Sequence, residues 1–139
     1  WVCSCGLSIF RAFVWEDRRT SDLCNELKKI ENLENEIREK TGLLLDPYFS
    51  ASKIKWILDN VENARQMAHD GELCFGTIET YLIWNLTEEK NHKTDATNAS
   101  RTMLMNLETL EWDESLLRIF DIPKKCFLKY VPVMIILAR

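Results

Sequence analysis

The sequence predicts an α/β fold that is rich in helix. Between residues 54 and 61, apolar side chains recur at i, i+3, i+4 and i+7, which is the spacing of one helix face. Residues 9–14 group apolar side chains in a way that favours a strand, and residues 103–113 form a strand–turn pattern. Both kinds of element share a chain of 139 residues, which is long enough for one modest core.

The longest predicted helix begins at Thr20 or Ser21, which are candidate N-caps, and ends at Gly42. Its apolar line consists of Leu23, Leu27, Ile30, Leu33 and Ile37. These five positions mark the face that we expect to meet the core.

The helix of residues 50–60 follows the dipeptide Asp46-Pro47, in which the proline fixes φ and disfavours helix before it. Ser50 and Ser52 are its candidate N-caps. Tyr48 is therefore expected in a loop at the start of a packed helix.

Three shorter helices follow in the predicted order. The first spans residues 61–70, and the second is capped by Thr77, with Glu79 on its solvated face. Asp113 caps the last one. Residues 92–102 between them are polar and short-chained, which predicts a loop.

Charge and composition exclude several kinds of partner. The net charge is −4 and no basic stripe is present, so we expect no nucleic-acid partner. The apolar run at 131–138 contains Pro132 and is far shorter than the roughly 20 residues of a membrane helix. Five cysteines without framework spacing, and the absence of a signal-peptide pattern, predict a cytoplasmic location. No set of cysteines and histidines has metal-ligand spacing, so no metal site is predicted.

The glycines limit what this chain can bind. There are four, and each is isolated in the sequence. A triphosphate is usually held by a glycine-rich loop, whose backbone amides approach the phosphates closely. We therefore expect no nucleotide to bind to this chain alone.

A many-positioned pattern covers residues 48–60 and resembles the first signature of the FGGY family of carbohydrate kinases. Its matching positions are Tyr48, Ser50, Lys53, Ile54, Trp56, Ile57, Asp59 and Asn60. Phe-Gly-Thr at 75–77, TNASRT at 97–102 and TLEWD at 109–113 resemble the glycerol kinase branch of that family. The resemblance covers roughly residues 1–125.

The resemblance implies a partial actin-like (ribonuclease H-like) ATPase domain, with residues 1–125 forming part of the N-terminal FGGY kinase domain. Glycerol kinases transfer the γ-phosphoryl group of ATP to glycerol with the help of Mg²⁺. On the matching positions, Trp15 would form an apolar wall against the glycerol carbons, and Tyr48 would direct its hydroxyl at the substrate. The family's Arg-Glu substrate pair, phosphate loop, catalytic Asp and second domain match nothing here. No catalytic, cofactor-binding or metal residue is therefore carried over.

Three functions stay open at this point. The chain is a glycerol kinase fragment that is inactive alone, a degenerate non-catalytic remnant that serves as an interaction module, or a kinase of the same family for another polyol or sugar. The TNASRT loop counts against the third.

The tail, residues 126–139, departs from the family pattern and is expected to be aberrant. Codons can be chosen for residues 127–139 so that a shifted frame reads PEVCPSNDNFGT, which resembles the family's continuation. Our hypothesis is a frameshift, and the alternative is a genuine extension. The downstream DNA decides between them.

Overall fold

Helices dominate the computed structural model, which describes residues 8–88 and 90–127 in full and the backbone of residues 2–3 and 129–130. The helices are α1 (Ser21–Leu27), α2 (Leu33–Thr41), α3 (Ser50–Asn60), α4 (Ala64–Asp70), α5 (Ile78–Leu86), α6 (Ala96–Ala99) and α7 (Glu114–Ile119). A single 3₁₀ turn in the described part, Lys124–Cys126, follows α7. None of the helices in this described part has both the length and the apolar character needed to cross a membrane.

The strands of the described residues are short and join in pairs. They are β1 (Val2–Cys3) antiparallel to β2 (Leu73–Cys74), β3 (Lys93–Thr94) parallel to β6 (Lys129–Tyr130), and β4 (Met105–Asn106) antiparallel to β5 (Glu111–Trp112). The β4–β5 hairpin places Met105 opposite Trp112 and confirms the predicted strand–turn segment. Helices with small sheets match the predicted helix-rich α/β fragment.

The core lies where α3 and α4 pack together and meet β2 and the 3₁₀ turn. Its largest fully buried apolar side chains are Ile37, Leu45, Ile54, Leu73, Met103, Leu104, Leu116 and Phe120. With the smaller buried residues Cys24, Ala64 and Ala68, they form one continuous core that joins α1, α2, α3, α4 and α7.

The predicted strand at residues 9–14 is wrong. Its backbone has no regular pairing, and the carbonyl oxygen of Val14 accepts hydrogen bonds from the Asp17 amide and the Lys53 ammonium. The aromatic rings of Phe10 and Phe13 instead contact the Trp56 ring at 5.6 and 5.5 Å. Packing on α3, and not pairing in a sheet, explains the apolar residues of this segment.

The single helix predicted from residue 20 to residue 41 is two helices. The chain leaves α1 after Leu27 and re-enters helix at Leu33, behind Asn32 in the left-handed region with φ of 63°. Asparagine tolerates this conformation better than most residues, which permits the turn. Ile30 lies in the break and is exposed, although the predicted apolar line included it.

The predicted N-caps hold in part. Asp113 caps α7 as predicted, since its carboxylate accepts hydrogen bonds from the amides of Ser115 and Leu116. Burial alone would raise the pKa of Asp113, but hydrogen bonds from the Ser115 hydroxyl, the Leu116 amide and Asn106, with the charge of Lys40, outweigh it and hold the pKa well below its usual range. Thr20 and Thr77 occupy the N-cap positions of α1 and α5 without capping through their side chains.

The two serines predicted to cap the helix of residues 50–60 do not cap it, because Phe49 occupies the N-cap position of α3. The Ser52 hydroxyl is buried and lies 2.8 Å from the Thr20 hydroxyl, so this pair ties α3 to the start of α1. The glycine that ends α2 behaves as predicted, because Gly42 has φ of 69°.

The polar segment 92–102 is more ordered than the predicted loop. It contains β3 and α6, and the Asp95 carboxylate caps α6 by accepting a hydrogen bond from the Asn98 amide at 3.0 Å. The short polar side chains that indicated a loop are therefore capping residues. Most of the predicted aberrant tail, residues 128 and 131–139, lies outside the described residues.

Candidate functional site

A cleft of about 570 Å³ opens between the segment 8–15, the start of α3 and the start of α5. Its walls carry aromatic rings from all three elements, including Phe10, Trp15, Tyr48 and Phe75. The charged side chains lining it are Arg11, Lys53 and Arg101, and no carboxylate of the described residues lines it. The cleft is therefore lined mainly by apolar side chains, and the charged side chains among the described lining residues are all cationic.

The two residues predicted to contact substrate lie side by side in this cleft. The ring centroids of Trp15 and Tyr48 are 5.8 Å apart, with an interplanar angle of 53°. Both rings are open to solvent, at 61% for Trp15 and 42% for Tyr48. Two large aromatic side chains that stay exposed beside a cavity are available to a ligand.

Lys53 holds this pair together. Its ammonium donates one hydrogen bond to the carbonyl oxygen of Val14 at 2.8 Å and another to the carbonyl oxygen of Tyr48 at 3.2 Å. Val14 directly precedes Trp15, so one buried side chain in the first turns of α3 fixes the backbone beside both aromatic residues. Burial lowers the pKa of Lys53, because the charged form loses hydration there.

The Asp46 side chain fixes the loop that carries Tyr48. The Asp46 carboxylate accepts a hydrogen bond from the Tyr48 amide at 2.8 Å and pairs with Arg18 at 3.0 Å. This is an Asx-type turn, in which a short side chain replaces a backbone partner. Asp17 and Arg19 form an ion pair at 2.8 Å, and both line a neighbouring cavity with residues 9–14.

The opposite wall begins at Gly76, where the backbone closely approaches Thr80. A Cβ atom at Gly76 would lie 2.7 Å from the Thr80 Cγ2 atom, which is too close for any other residue. Glycine is therefore required at the point where the chain enters α5 along the cleft.

Glu79 organises this wall and is not the solvated residue that the sequence predicted. Its Oε1 atom accepts hydrogen bonds from the hydroxyls of Thr77, Thr80 and Thr94, the last at 2.8 Å. Its Oε2 atom is buried without a hydrogen-bond partner. One carboxylate thus joins α5 to β3 beneath the cleft.

His92 closes the far end of the cleft. Its Nε2 atom lies 2.6 Å from the carbonyl oxygen of Phe75, and its ring lies against Trp84. Burial lowers the pKa of His92, and the hydrogen bond to Phe75 opposes that shift without reversing it. A histidine held in this way is a neutral structural donor at pH 7.

Comparison with known proteins identifies the family. The N-terminal domain of the FGGY family of carbohydrate kinases matches residues 7–136. The chain belongs to this family.

The chain is 60% identical to the glycerol kinase of Borrelia garinii subsp. bavariensis over 124 residues, which cover 89% of this chain and 25% of that protein. It is 57% identical to the glycerol kinase of Oleidesulfovibrio alaskensis over the same length and the same shares of both chains. This FGGY chain therefore spans about a quarter of the length of the curated relatives that it matches.

Solved structures of FGGY kinases share the fold. Plasmodium falciparum glycerol kinase with ADP superposes with a TM-score of 0.81 at 43% identity, covering 87% of this chain and 24% of that one. Gluconate kinase from Lactobacillus acidophilus superposes with a TM-score of 0.79 at 26% identity, covering 94% of this chain and 25% of that one. The predicted partial actin-like kinase domain is confirmed by these neighbours.

Sequence reasoning missed Lys53 and Glu79 as organisers of the site. Lys53 was part of the signature, but nothing in its spacing indicated which carbonyl groups it would reach. Glu79 follows Thr77 and precedes Thr80, so a run of hydroxyls beside an acid was the available signal. The third hydroxyl, from Thr94, arrives only through the tertiary fold.

Proposed function

We propose that this chain forms one wall of the glycerol site in an ATP-dependent glycerol kinase, as part of a longer enzyme. The observation that carries the proposal is the pair of exposed rings, Trp15 and Tyr48, held 5.8 Å apart at the cleft by Lys53. The identities of 57–60% with glycerol kinases favour glycerol over the other substrates of the family.

The chemistry of the pair suits a three-carbon polyol. The Trp15 ring offers an apolar face to the carbon atoms, and the Tyr48 hydroxyl is able to donate or accept a hydrogen bond with a substrate hydroxyl. The cationic side chains that line the cleft suit the negative charge of a phosphorylated product. Binding and orienting glycerol are the roles of this wall.

The residues of this chain do not fit ATP or Mg²⁺. Its four glycines are isolated and form no phosphate-binding loop, and no group of three or more His, Cys, Asp or Glu side chains among the described residues is able to hold an ion. We therefore propose that other parts of the intact enzyme hold the nucleotide and the metal.

We also propose a cytoplasmic location for the intact enzyme. Cys24, Cys74 and Cys126 are free thiols, which suits a reducing compartment. Burial raises the pKa of Cys126 to about 12, so its thiol is an inert part of the core.

Replacing the matched 124 residues of the Borrelia garinii relative with the aligned residues of this chain gives a chimera that tests the proposal. We expect the chimera to phosphorylate glycerol with MgATP, and to use glycerol with a higher kcat/KM than gluconate or xylulose. The 139-residue chain alone is expected to give no turnover in a coupled assay, because phosphoryl transfer needs the absent nucleotide elements.

The alternatives predict other results. A preference of the chimera for another polyol or sugar would favour a different kinase of the family. A folded chimera without activity on any of these substrates would favour a degenerate remnant. Turnover by the isolated chain above a heat-killed control would refute its assignment as an inactive part.

A further inference from the structure

Helix α5 carries its large apolar side chains on the outside. Of its nine residues only Thr80 is buried, whereas Ile78, Tyr81, Leu82 and Leu86 are 48–81% exposed. The spacing i, i+3, i+4 and i+8 places these four on one side of the helix, which we call the α5 face. A helix in a finished globular protein turns this side toward a core, and among the described residues the α5 face has no cover.

The α5 face is continuous with the candidate site. Ile78 and Tyr81 belong to it and also line the cleft, together with Trp15 and Tyr48. Leu82 and Leu86 extend the same apolar surface away from the cleft mouth. Whatever covers the α5 face therefore also reaches the edge of the cleft.

We propose that the α5 face docks against the part of the glycerol kinase polypeptide that lies outside the matched 124 residues. This inference rests on the proposed function. The matched residues make up 25% of the curated relatives, so three quarters of such an enzyme remain to supply a cover. Burial of apolar side chains is the main favourable contribution to such docking.

The position of the surface favours this occupant over a second copy of the chain. A substrate site needs to enclose most of a small ligand, and Trp15 and Tyr48 in the described cleft are still 61% and 42% exposed. The remainder of a kinase polypeptide carries the groups that this chain lacks, and docking on α5 brings it to a helix that lines the cleft. A second copy would bring only another set of the same residues.

The test uses the double variant Leu82→Glu with Leu86→Lys, which changes the α5 face without touching the cleft lining. The matched control is Ile30→Glu with Leu44→Lys, at positions that are 54% and 58% exposed elsewhere on the surface. Both pairs add one acid and one base, so net charge is unchanged. Each form of the 139-residue chain is co-expressed with the affinity-tagged remainder of the Borrelia garinii relative, which lacks its matched 124 residues.

We expect the native chain and the control to co-purify with the remainder at a one-to-one ratio, and the α5 variant to be recovered at least tenfold less. Equal recovery of all three forms, or recovery of none, would overturn the proposal. A dimer of the native chain in light scattering that the α5 variant abolishes would instead assign the surface to a second copy.

Glycerol turnover by the co-purified complex separates the two proposals. A complex that depends on the α5 face but gives no turnover with MgATP leaves the docking surface intact and contradicts the proposed function. Turnover by the chimera without recovery of any complex supports the proposed function and contradicts the docking surface.

Discussion

Helices α3 and α5 form two walls of the same cleft but differ in what they bury. Helix α3 buries Ile54, Ile57 and Leu58 along with the Lys53 stem, so its apolar stripe is satisfied by this chain. Helix α5 fully buries only Thr80, half-buries Ile83 and Trp84, and leaves the four residues of the α5 face exposed. The apolar face of α3 is buried within these 139 residues, whereas we propose that the apolar face of α5 is buried by another part of the enzyme.

The largest expected effect distinguishes the two helices by the same substitution. Leu58→Ala in α3 removes a side chain that is 2% exposed, and should lower the free energy of unfolding by about 2–5 kcal/mol. Leu86→Ala in α5 should change it by less than about 0.5 kcal/mol, because that side chain is 81% exposed. Urea unfolding of both variants measures the difference. Equal losses would mean that α5 is already packed in the isolated chain.

The next effect concerns the carboxylate under α5. Glu79→Ala leaves the hydroxyls of Thr77, Thr80 and Thr94 without their shared acceptor, and should lower the free energy of unfolding by about 1–3 kcal/mol. Glu79→Gln retains an acceptor oxygen and should cost less. Urea unfolding measures the free energy of unfolding of both variants. An unchanged value for Glu79→Ala would show that these hydrogen bonds do not stabilise the wall.

A smaller effect concerns the lysine of α3. Lys53→Met removes the hydrogen bonds to the carbonyl groups of Val14 and Tyr48, and should lower the free energy of unfolding by about 1–2 kcal/mol. It should also make the Trp15–Tyr48 pair more mobile. Nuclear Overhauser contacts between the two rings should weaken. Lys55→Met is the matched control, because Lys55 only pairs with Asp59 on the helix surface. Unchanged ring contacts in the Lys53 variant would refute its positioning role.

The smallest effect depends on pH. The pKa of His92 is lower in the folded chain than the roughly 6.5 of an unfolded histidine. On acidification the unfolded chain binds a proton before the folded chain does, so stability falls as the pH drops below about 6.5. His92→Gln should reduce that slope between pH 7 and pH 5.5 while keeping a donor for Phe75. An unaltered slope would assign the pH dependence to other groups.

The two walls also differ in how well the sequence predicts them. The periodicity of α3 predicted its buried face, and the resemblance to glycerol kinases predicted that Trp15 and Tyr48 share a site, where the structure places their rings 5.8 Å apart. These features are local, or rest on many matched positions. The position of Lys53 between the two backbones depends on where residues 9–14 run, and their aromatic residues packed on Trp56 instead of forming the predicted strand.

The features that sequence reasoning missed depend on contacts between distant residues or on single backbone conformations. Glu79 gains its third hydroxyl from Thr94, fifteen residues away. The break between α1 and α2 depends on the left-handed conformation of Asn32, and helical periodicity continues across it without a signal. The polar composition of segment 92–102 predicts a loop. The short helix within it depends on the hydrogen bond from the Asn98 amide to the Asp95 carboxylate, which composition does not reveal.

The most direct test of the account is the KM of the chimera for glycerol after Trp15→Ala and, separately, Tyr48→Phe. Each change should raise the KM for glycerol or lower kcat/KM by roughly fivefold or more, because Tyr48→Phe removes a hydrogen bond worth on the order of 1 kcal/mol and Trp15→Ala removes apolar contact area of similar or greater worth. The KM for MgATP should stay the same, and Ile30→Ala should change neither. Unaltered kcat and KM for glycerol in both variants would remove Trp15 and Tyr48 from the site and contradict the account.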